Sequence, residues 1–389
     1  MSKILRIPAI LLTLSALVIS AACNYPIPAT GTLLDTPTPS PEDSPPPAIP
    51  ARKAEAPQLT FIRMLDEQNG WGITETAVLR TDDGGVTWYD VTPADLVDVA
   101  FATTHAFLDP AHAWVVAADQ KDFMRAGILY RTQDGGLIWT SNEIPFGGGD
   151  LTFLDSTNGW MMADLGVGAG SNAVAVFQTV DAGQTWTRTY TNDPNIEGAA
   201  DSLPLGGLKF ALVPRDMRSA WIGGVIYAPG TVYLFRTQDA GVTWQPVELA
   251  LPPDTEDAEL AFESLRFTTP DTAFLTVRTS GATYQLAVYV SHDGGETWTL
   301  TPTLITNGGG ADFVSAAEGL IWNGTQFYVT RDAATTWSAV SPDIVFGDTL
   351  ARMDFVSVEK GWVTTYDTSG RYTLYVTTDG GATWEPLFP

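Results

Sequence analysis

The chain has 389 residues, with 45 acidic side chains, 20 basic ones and a formal charge of −25. That balance opposes binding to nucleic acid or to anionic lipid, both of which need a basic face. A single cysteine excludes an internal disulfide framework and a cysteine-based zinc site, and the histidines (His105, His112, His292) leave little for a metal centre or a catalytic triad. Glycine (36) and proline (26) are plentiful and charge is sparse at 17%, the profile of many short strands joined by turns.

Lys3 and Arg6 precede an apolar stretch from Ile7 to Ala22, which is short for a membrane span but fits the apolar core of a secretory signal. Ser20-Ala21-Ala22 stand immediately before Cys23. This arrangement resembles the lipobox of bacterial lipoproteins, although the family usually has a larger aliphatic residue where Ser20 stands. The resemblance implies a signal peptide over residues 1–22 and a lipid anchor at Cys23. It also implies an exported protein held on the extracytoplasmic face of a bacterial membrane. Cleavage would remove Lys3 and Arg6 and no acid, taking the charge from −25 to −27. Residues 24–57 hold ten prolines, centred on Pro45-Pro46-Pro47. A segment of this composition cannot bury enough apolar surface to fold. Residues 23–57 therefore read as a semi-rigid tether that, at ~3.1 Å per residue, reaches up to roughly 100 Å.

From residue 58 to 389 the chain repeats itself. Thr81 to Trp88 (TDDGGVTW) recurs as Thr132 to Trp139 (TQDGGLIW), Thr179 to Trp186 (TVDAGQTW) and Thr237 to Trp244 (TQDAGVTW). It continues as Ser291 to Trp298 (SHDGGETW), Thr330 to Trp337 (TRDAATTW) and Thr377 to Trp384 (TTDGGATW). The aspartates are Asp83, Asp134, Asp181, Asp239, Asp293, Asp332 and Asp379, at intervals of 51, 47, 58, 54, 39 and 47 residues. A period near 50 with strand-like flanks signals a propeller, one four-stranded blade per repeat. Ahead of each turn, Phe61, Phe107, Phe153, Phe210, Phe267, Phe313 and Phe355 are each taken to open strand A. A small residue and a large apolar one then enter strand B: Gly70-Trp71, Ala113-Trp114, Gly159-Trp160, Ala220-Trp221, Ala273-Phe274, Gly319-Leu320 and Gly361-Trp362. From the Phe to the large residue is seven positions in five repeats and longer in the first and fourth. The turn itself joins strands C and D. Its carboxylate can accept backbone N–H bonds, its glycine takes left-handed backbone, and its tryptophan packs on a neighbour. In the sixth repeat, Ala333-Ala334 predicts a strained turn or one of another type.

These turns resemble the Asp-box, or BNR repeat, of sialidases, xyloglucanase-type glycosidases, sortilin-like receptors and the photosystem II stability/assembly factor family. The combination of Phe, Gly-Trp and Asp-box in every repeat is most similar to the last of these and its bacterial relatives. The resemblance implies an all-β, seven-bladed propeller of four-stranded antiparallel blades over residues 58–389. It implies a structural role for the box aspartates and tryptophans, since Asp-boxes occur on unrelated activities. The assembly-factor resemblance also implies a basic patch as partner contact. No clustered basic strip is visible in the sequence.

In such a blade, A–B and C–D turns share one face of the disc and B–C and D–A loops the other. Length variation falls in the second set, where loops on a rigid scaffold carry binding. The candidate ligand-face residues are Asp122, Arg125, Tyr227, Arg278, Tyr366 and Arg371. Asp150, Lys209, Arg266, Asp312 and Asp354, placed next to strand-A starts, are candidates for the central channel. The loop acids Asp254, Glu256, Asp257 and Glu259 match no known calcium spacing. No catalytic residue, metal site or cofactor is predicted. The function expected is a monomeric, non-enzymatic envelope lipoprotein that binds a protein or glycan. The alternative is a glycoside hydrolase. The sialidase Arg-Ile-Pro element occurs only as Arg6-Ile7-Pro8 in the signal segment, and a xyloglucanase-like enzyme needs two acids facing across a cleft.

Overall fold

The computed structural model describes residues 52–388, apart from residues 97, 98, 100–102, 120, 123, 282 and 283. Cys23 and the signal segment lie outside the described residues. Those described belong to one compact unit, Pro46–Pro389. The only helical turn among them is Gly347–Thr349, and the rest of the regular structure is strand.

The strands follow one another as antiparallel A–B–C–D sets. The first is Phe61–Met64, Gly70–Ile73, Val78–Thr81 and Trp88–Asp90, and the last is Leu350–Phe355, Gly361–Tyr366, Tyr372–Thr377 and Glu385–Pro386. Four sheets have four strands, one has five, and one has nine. The nine-stranded sheet holds the fourth and fifth sets, bridged where Val225 pairs with Ala261. Strand A is innermost. Gly149–Phe153 touches both Thr103–Phe107 and Leu208–Pro214, and Phe61–Met64 touches Leu350–Phe355, so the last set meets the first.

The landmark phenylalanines sit differently from the sequence reading. Phe107, Phe153, Phe267, Phe313 and Phe355 close strand A instead of opening it, each paired with the small residue that begins strand B. In the first and fourth sets that position belongs to Met64, opposite Gly70, and Pro214, opposite Ala220. The long spacings of Phe61 and Phe210 have this origin: neither is the landmark. The small residue is a steric necessity. A Cβ on Gly361 would lie 2.2 Å from the Phe355 ring, and one on Gly159 would lie 2.9 Å from Phe153. The landmark ring stacks on the strand-B aromatic of the preceding set: Trp71 on Phe107 at 5.1 Å, Trp114 on Phe153 at 3.7 Å and Phe274 on Phe313 at 4.1 Å.

Strand-B tryptophans also reach a turn of the following set. The indole N–H donates from Trp71 to Asp109 O (3.0 Å), from Trp114 to Ala182 O (3.0 Å) and from Trp160 to Asp216 O (3.2 Å). Trp362 donates to Gly84 O (2.9 Å), joining the last set to the first across the whole sequence. Around that bond, Leu59, Ile62 and Trp88 share a core with Trp362, Leu374 and Val376.

Both turn types on this face are capped by side chains. In the first Asp-box, Thr81 Oγ1 accepts Gly85 N–H (2.9 Å) and donates to Asp83 (3.0 Å), whose carboxylate accepts Thr87 N–H (2.7 Å). The same bonds recur in the sixth box, where Ala334 N–H meets Thr330 Oγ1 at 3.0 Å and Thr336 N–H meets Asp332 at 2.8 Å. That turn is therefore of the ordinary type, and the strain is real: Ala333 and Ala334 stand at φ 54° and 64°; Ala182 and Ala240 share the first of these positions at φ 61° and 63°, but at the second every other box uses glycine. A second cap, four residues before each small residue, is legible in the sequence yet easily passed over. Asp66, Asp109, Asp155, Asp216, Thr269, Ser315 and Ser357 each accept N–H bonds in their A–B turn.

One strand lies inside the stretch read as tether. Arg52–Ala54 pairs with Trp88–Asp90 as a fifth strand of the first sheet, with Arg52 3.0 Å from the Asp90 carboxylate. After Pro50 the chain has no proline until Pro57, so its N–H groups are free to pair.

Two substitutions test this account. Trp362→Phe removes the bond to Gly84 and opens a void between the last and first sets. It is expected to cost about 2 kcal/mol, read as a lower urea midpoint at unchanged m-value. Ala333→Gly relieves left-handed strain at a half-buried position and is expected to stabilise the fold by about 0.5–1 kcal/mol in the same measurement.

Candidate functional site

The B–C and D–A loops emerge together at the end of the sheets opposite the capped turns. Asp122 and Arg125 lie between Ala118 and Gly127, where Arg125 N–H donates to Asp122 O at 3.0 Å. The Arg125 guanidinium comes within 3.9 Å of Asp193, in the D–A loop of the next set. Tyr366 ends strand B of the last set, its ring 4.7 Å from Tyr372, and Arg371 N–H closes the neighbouring turn on Asp367 at 3.0 Å. These four residues are not brought to one cavity.

Tyr227 and Arg278 are. They line a cavity of about 400 Å³ where the fourth and fifth sets join, with Phe210, Glu259, Glu263 and Tyr284 around it. Its floor is Val225, Leu260, Ala261 and Phe262. Arg278 Nε lies 2.7 Å from Glu263, and its guanidinium stands 5.7 Å from the Tyr284 ring centre. Burial pushes the Glu263 carboxyl up and Arg278 partly pulls it back. Among the described residues the exposed large aromatics are Phe210, Tyr227, Tyr284 and Tyr366, and three of these line this one cavity. Phe210 stands eleven positions ahead of Trp221 instead of seven, and this anomalous spacing marks a residue that lines the cavity and does not close strand A. Nothing in the sequence singles out Tyr284 or Glu263, because they meet Tyr227 only across the join of two sets.

The inner strands carry a separate polar system. Asp150 accepts Leu212 N–H at 2.6 Å, Asp312 accepts Phe355 N–H at 2.7 Å, and Asp354 accepts Met64 N–H. Each carboxylate thus bridges strand A of one set to strand A of a neighbour. Arg63 reaches Asp354 at 3.2 Å, Arg266 pairs with Asp312, and Arg352 lies 4.7 Å over the Phe61 ring. Arg266, Asp312 and Asp354 stand one residue before the ends of strand A, not at its start as read from the sequence, because the phenylalanine beside them closes the strand. Three arginines distant in sequence therefore gather on the inner strands, a grouping no local pattern reveals. Lys209 is buried, with Nζ donating to Asn172 O, Leu205 O and Gly207 O at 2.7–3.0 Å, and burial lowers its pKa to about 8. It clamps a loop and is 3% exposed, so it does not line a channel open to solvent.

The box carboxylates are engaged in their own turns. At Asp293, bonds from the Thr297 hydroxyl and N–H hold the carboxyl down to about 2. Among the described residues no cluster of three histidine, cysteine or carboxylate side chains is placed to hold a metal, the loop acids Asp254, Glu256, Asp257 and Glu259 among them.

A family model described as BNR/Asp-box repeat matches residues 289–300 and 375–386. The photosystem II assembly lipoprotein Ycf48 of Synechococcus sp. (strain CC9902) is 24% identical over 284 residues, covering 71% of this chain and 73% of that protein. This chain carries BNR/Asp-box repeats and resembles the photosystem II assembly lipoproteins. Among solved structures, YCF48 bound to D1 peptide aligns with a TM-score of 0.51 at 15% identity, over 87% of this chain and 97% of that one. An ancestral GH74 enzyme aligns with a TM-score of 0.50 at 11% identity, over 84% of this chain and 46% of that one. The extracellular domain of a putative hybrid two-component system from B. thetaiotaomicron aligns with a TM-score of 0.50 at 13% identity, over 82% and 38%. These likenesses show the fold, an all-β propeller. They include a protein with a bound peptide and an enzyme.

The inner carboxylates predict a pH response. Burial pushes Asp354 up to about 6 against the opposing pull of Arg63, and burial likewise takes Asp150 to about 6. Asp354 is 6% exposed and is the clearer case. A carboxyl with a folded pKa above its unfolded value binds more protons in the fold, so its stabilisation is lost as pH rises through about 6. Unfolding free energy is expected to rise by roughly 1 kcal/mol per such carboxyl between pH 7 and pH 5. Asp354→Asn should flatten that slope in urea titrations.

Proposed function

We propose that the chain is a non-enzymatic envelope lipoprotein that binds a protein or glycan partner through its B–C/D–A loop face, as an assembly or stability factor. In this reading residues 1–22 are a lipoprotein signal, Cys23 is the lipidated anchor, residues 23–57 tether the domain, and residues 58–389 form a seven-bladed propeller. The strand at Arg52–Ala54 then docks the end of the tether on the first sheet. The observation that carries the reading is the contrast between the two faces. The A–B and C–D turns are tied up by their own side chains, whereas the loop face exposes three aromatic rings around one cavity. A protein partner is favoured by the likeness to photosystem II assembly lipoproteins, and the inner arginines Arg63, Arg266 and Arg352 supply the basic element that likeness implies.

The hydrolase alternative draws on the fold shared with a GH74 enzyme. It asks for two carboxyl groups flanking a bond. The acids nearest the loop-face cavity, Glu259 and Glu263, both come from one wall, and Glu263 is bonded to Arg278.

Crosslinking in native membranes, followed by capture of the full chain, tests the proposal. A specific envelope protein or glycan should be recovered, and its yield should fall when Tyr227 and Arg278 are both changed to alanine. Only nonspecific recovery, or sugar release from sialosides or β-glucans that a single loop-face Asp or Glu change abolishes, would reject it.

A further inference from the structure

We propose that the cavity at the join of the fourth and fifth sets receives a lysine or arginine side chain from an exposed segment of a partner protein. This rests on the loop-face reading above and names the chemistry of the contact. Phe210, Tyr227 and Tyr284 are 50%, 62% and 55% exposed and line the cavity over a floor of Val225, Leu260 and Phe262. Aromatic rings held open to water around one hollow are a costly surface to leave bare, and their negative faces attract cations. Arg278 already demonstrates the preference, since its guanidinium sits over Tyr284 while pairing with Glu263. That arginine is committed. Glu259 lines the same cavity and has no cationic partner among the described residues. The lining therefore carries two carboxylates against one guanidinium and leaves one negative charge unanswered beside exposed aromatic rings. The chain as a whole, at −25, draws cations towards the mouth and repels acidic partners or acidic sugars. A neutral sugar would use the rings but leave Glu259 unpaired. A basic side chain answers both features, with its apolar stem against the floor and its charged head between ring and carboxylate.

The experiment uses the full chain and fluorescent peptides that differ only at a central residue: lysine, arginine or glutamine. Binding is read by anisotropy at low and raised salt. The lysine and arginine peptides should bind about tenfold more tightly than the glutamine peptide, with the difference shrinking as salt is added. Tyr227→Ala and Glu259→Gln should each weaken the basic peptides several-fold, whereas Tyr227→Phe, which keeps the ring, should not. Both positions are exposed, so an unchanged melting midpoint would show that the variants fold. Equal binding of all three peptides, binding of none, or indifference to Glu259→Gln would overturn the proposal. So would a neutral oligosaccharide that binds at this cavity and ignores that change. If membrane capture still recovers a specific partner with the Tyr227→Ala, Glu259→Gln double variant, the cation pocket is rejected and the loop-face reading stands. If nothing specific is captured while basic peptides bind, the converse holds.

Discussion

The structure depends on one repeated contact, a large apolar strand-B residue of each set, aromatic in all but the sixth, wedged against the next. Trp71, Trp114, Trp160 and Trp362 are fully buried and each ties its indole N–H to a turn carbonyl of the following set. A four-stranded sheet that is apolar on both faces has no stable existence alone, so the sets hold one another. The bond from Trp362 to Gly84 has the same form as the others but spans 278 positions of sequence. Around it the last set shares a buried core with the first.

That contact constrains the rest. A turn that must present its carbonyl to a neighbour's indole cannot wander, and each is held by side chains that replace missing backbone partners. The Thr–Asp pair does this in the C–D turns, and the Asp, Ser or Thr four residues before the small residue does it in the A–B turns. With one face committed in this way, variation is free to accumulate only on the other. The aromatic cavity lies there, on loops whose length no blade contact dictates.

The inner strands show a second form of the same coupling. Asp150, Asp312 and Asp354 each accept a backbone N–H from a neighbouring set, so a carboxylate bridges strands that a sheet ladder cannot join. Burial raises Asp150 and Asp354 to about 6; Arg63 offsets that only in part at Asp354, and the Leu212 N–H does so at Asp150. The inner surface is thus basic in its exposed groups although the protein is strongly acidic overall.

The amino-acid sequence by itself determined the repeat, its strand order and the chemistry of its C–D turns. Those features are local: a hydroxyl two residues before a carboxylate, then a residue in left-handed backbone, lie within one turn and leave a readable pattern. The same locality let the sequence flag Ala333-Ala334, and the structure chose strain over a different turn because the neighbouring set holds the loop in place. The landmark phenylalanine was legible as a repeat but not in its register. Its place at the end of strand A is set by the ring it stacks on in the preceding set, 39 positions away for Trp114 and Phe153. Tertiary structure alone decided what meets what between sets. Tyr227 and Arg278 were visible as loop residues, but Phe210, Glu263 and Tyr284 join them only because Val225 and Ala261 bring two sheets edge to edge. Arg63, Arg266 and Arg352 likewise gather because successive strands A line the inside. Periodicity along a chain records how each set folds. It carries no record of which side chains different sets present to a common space, because that depends on how the sets turn about one another.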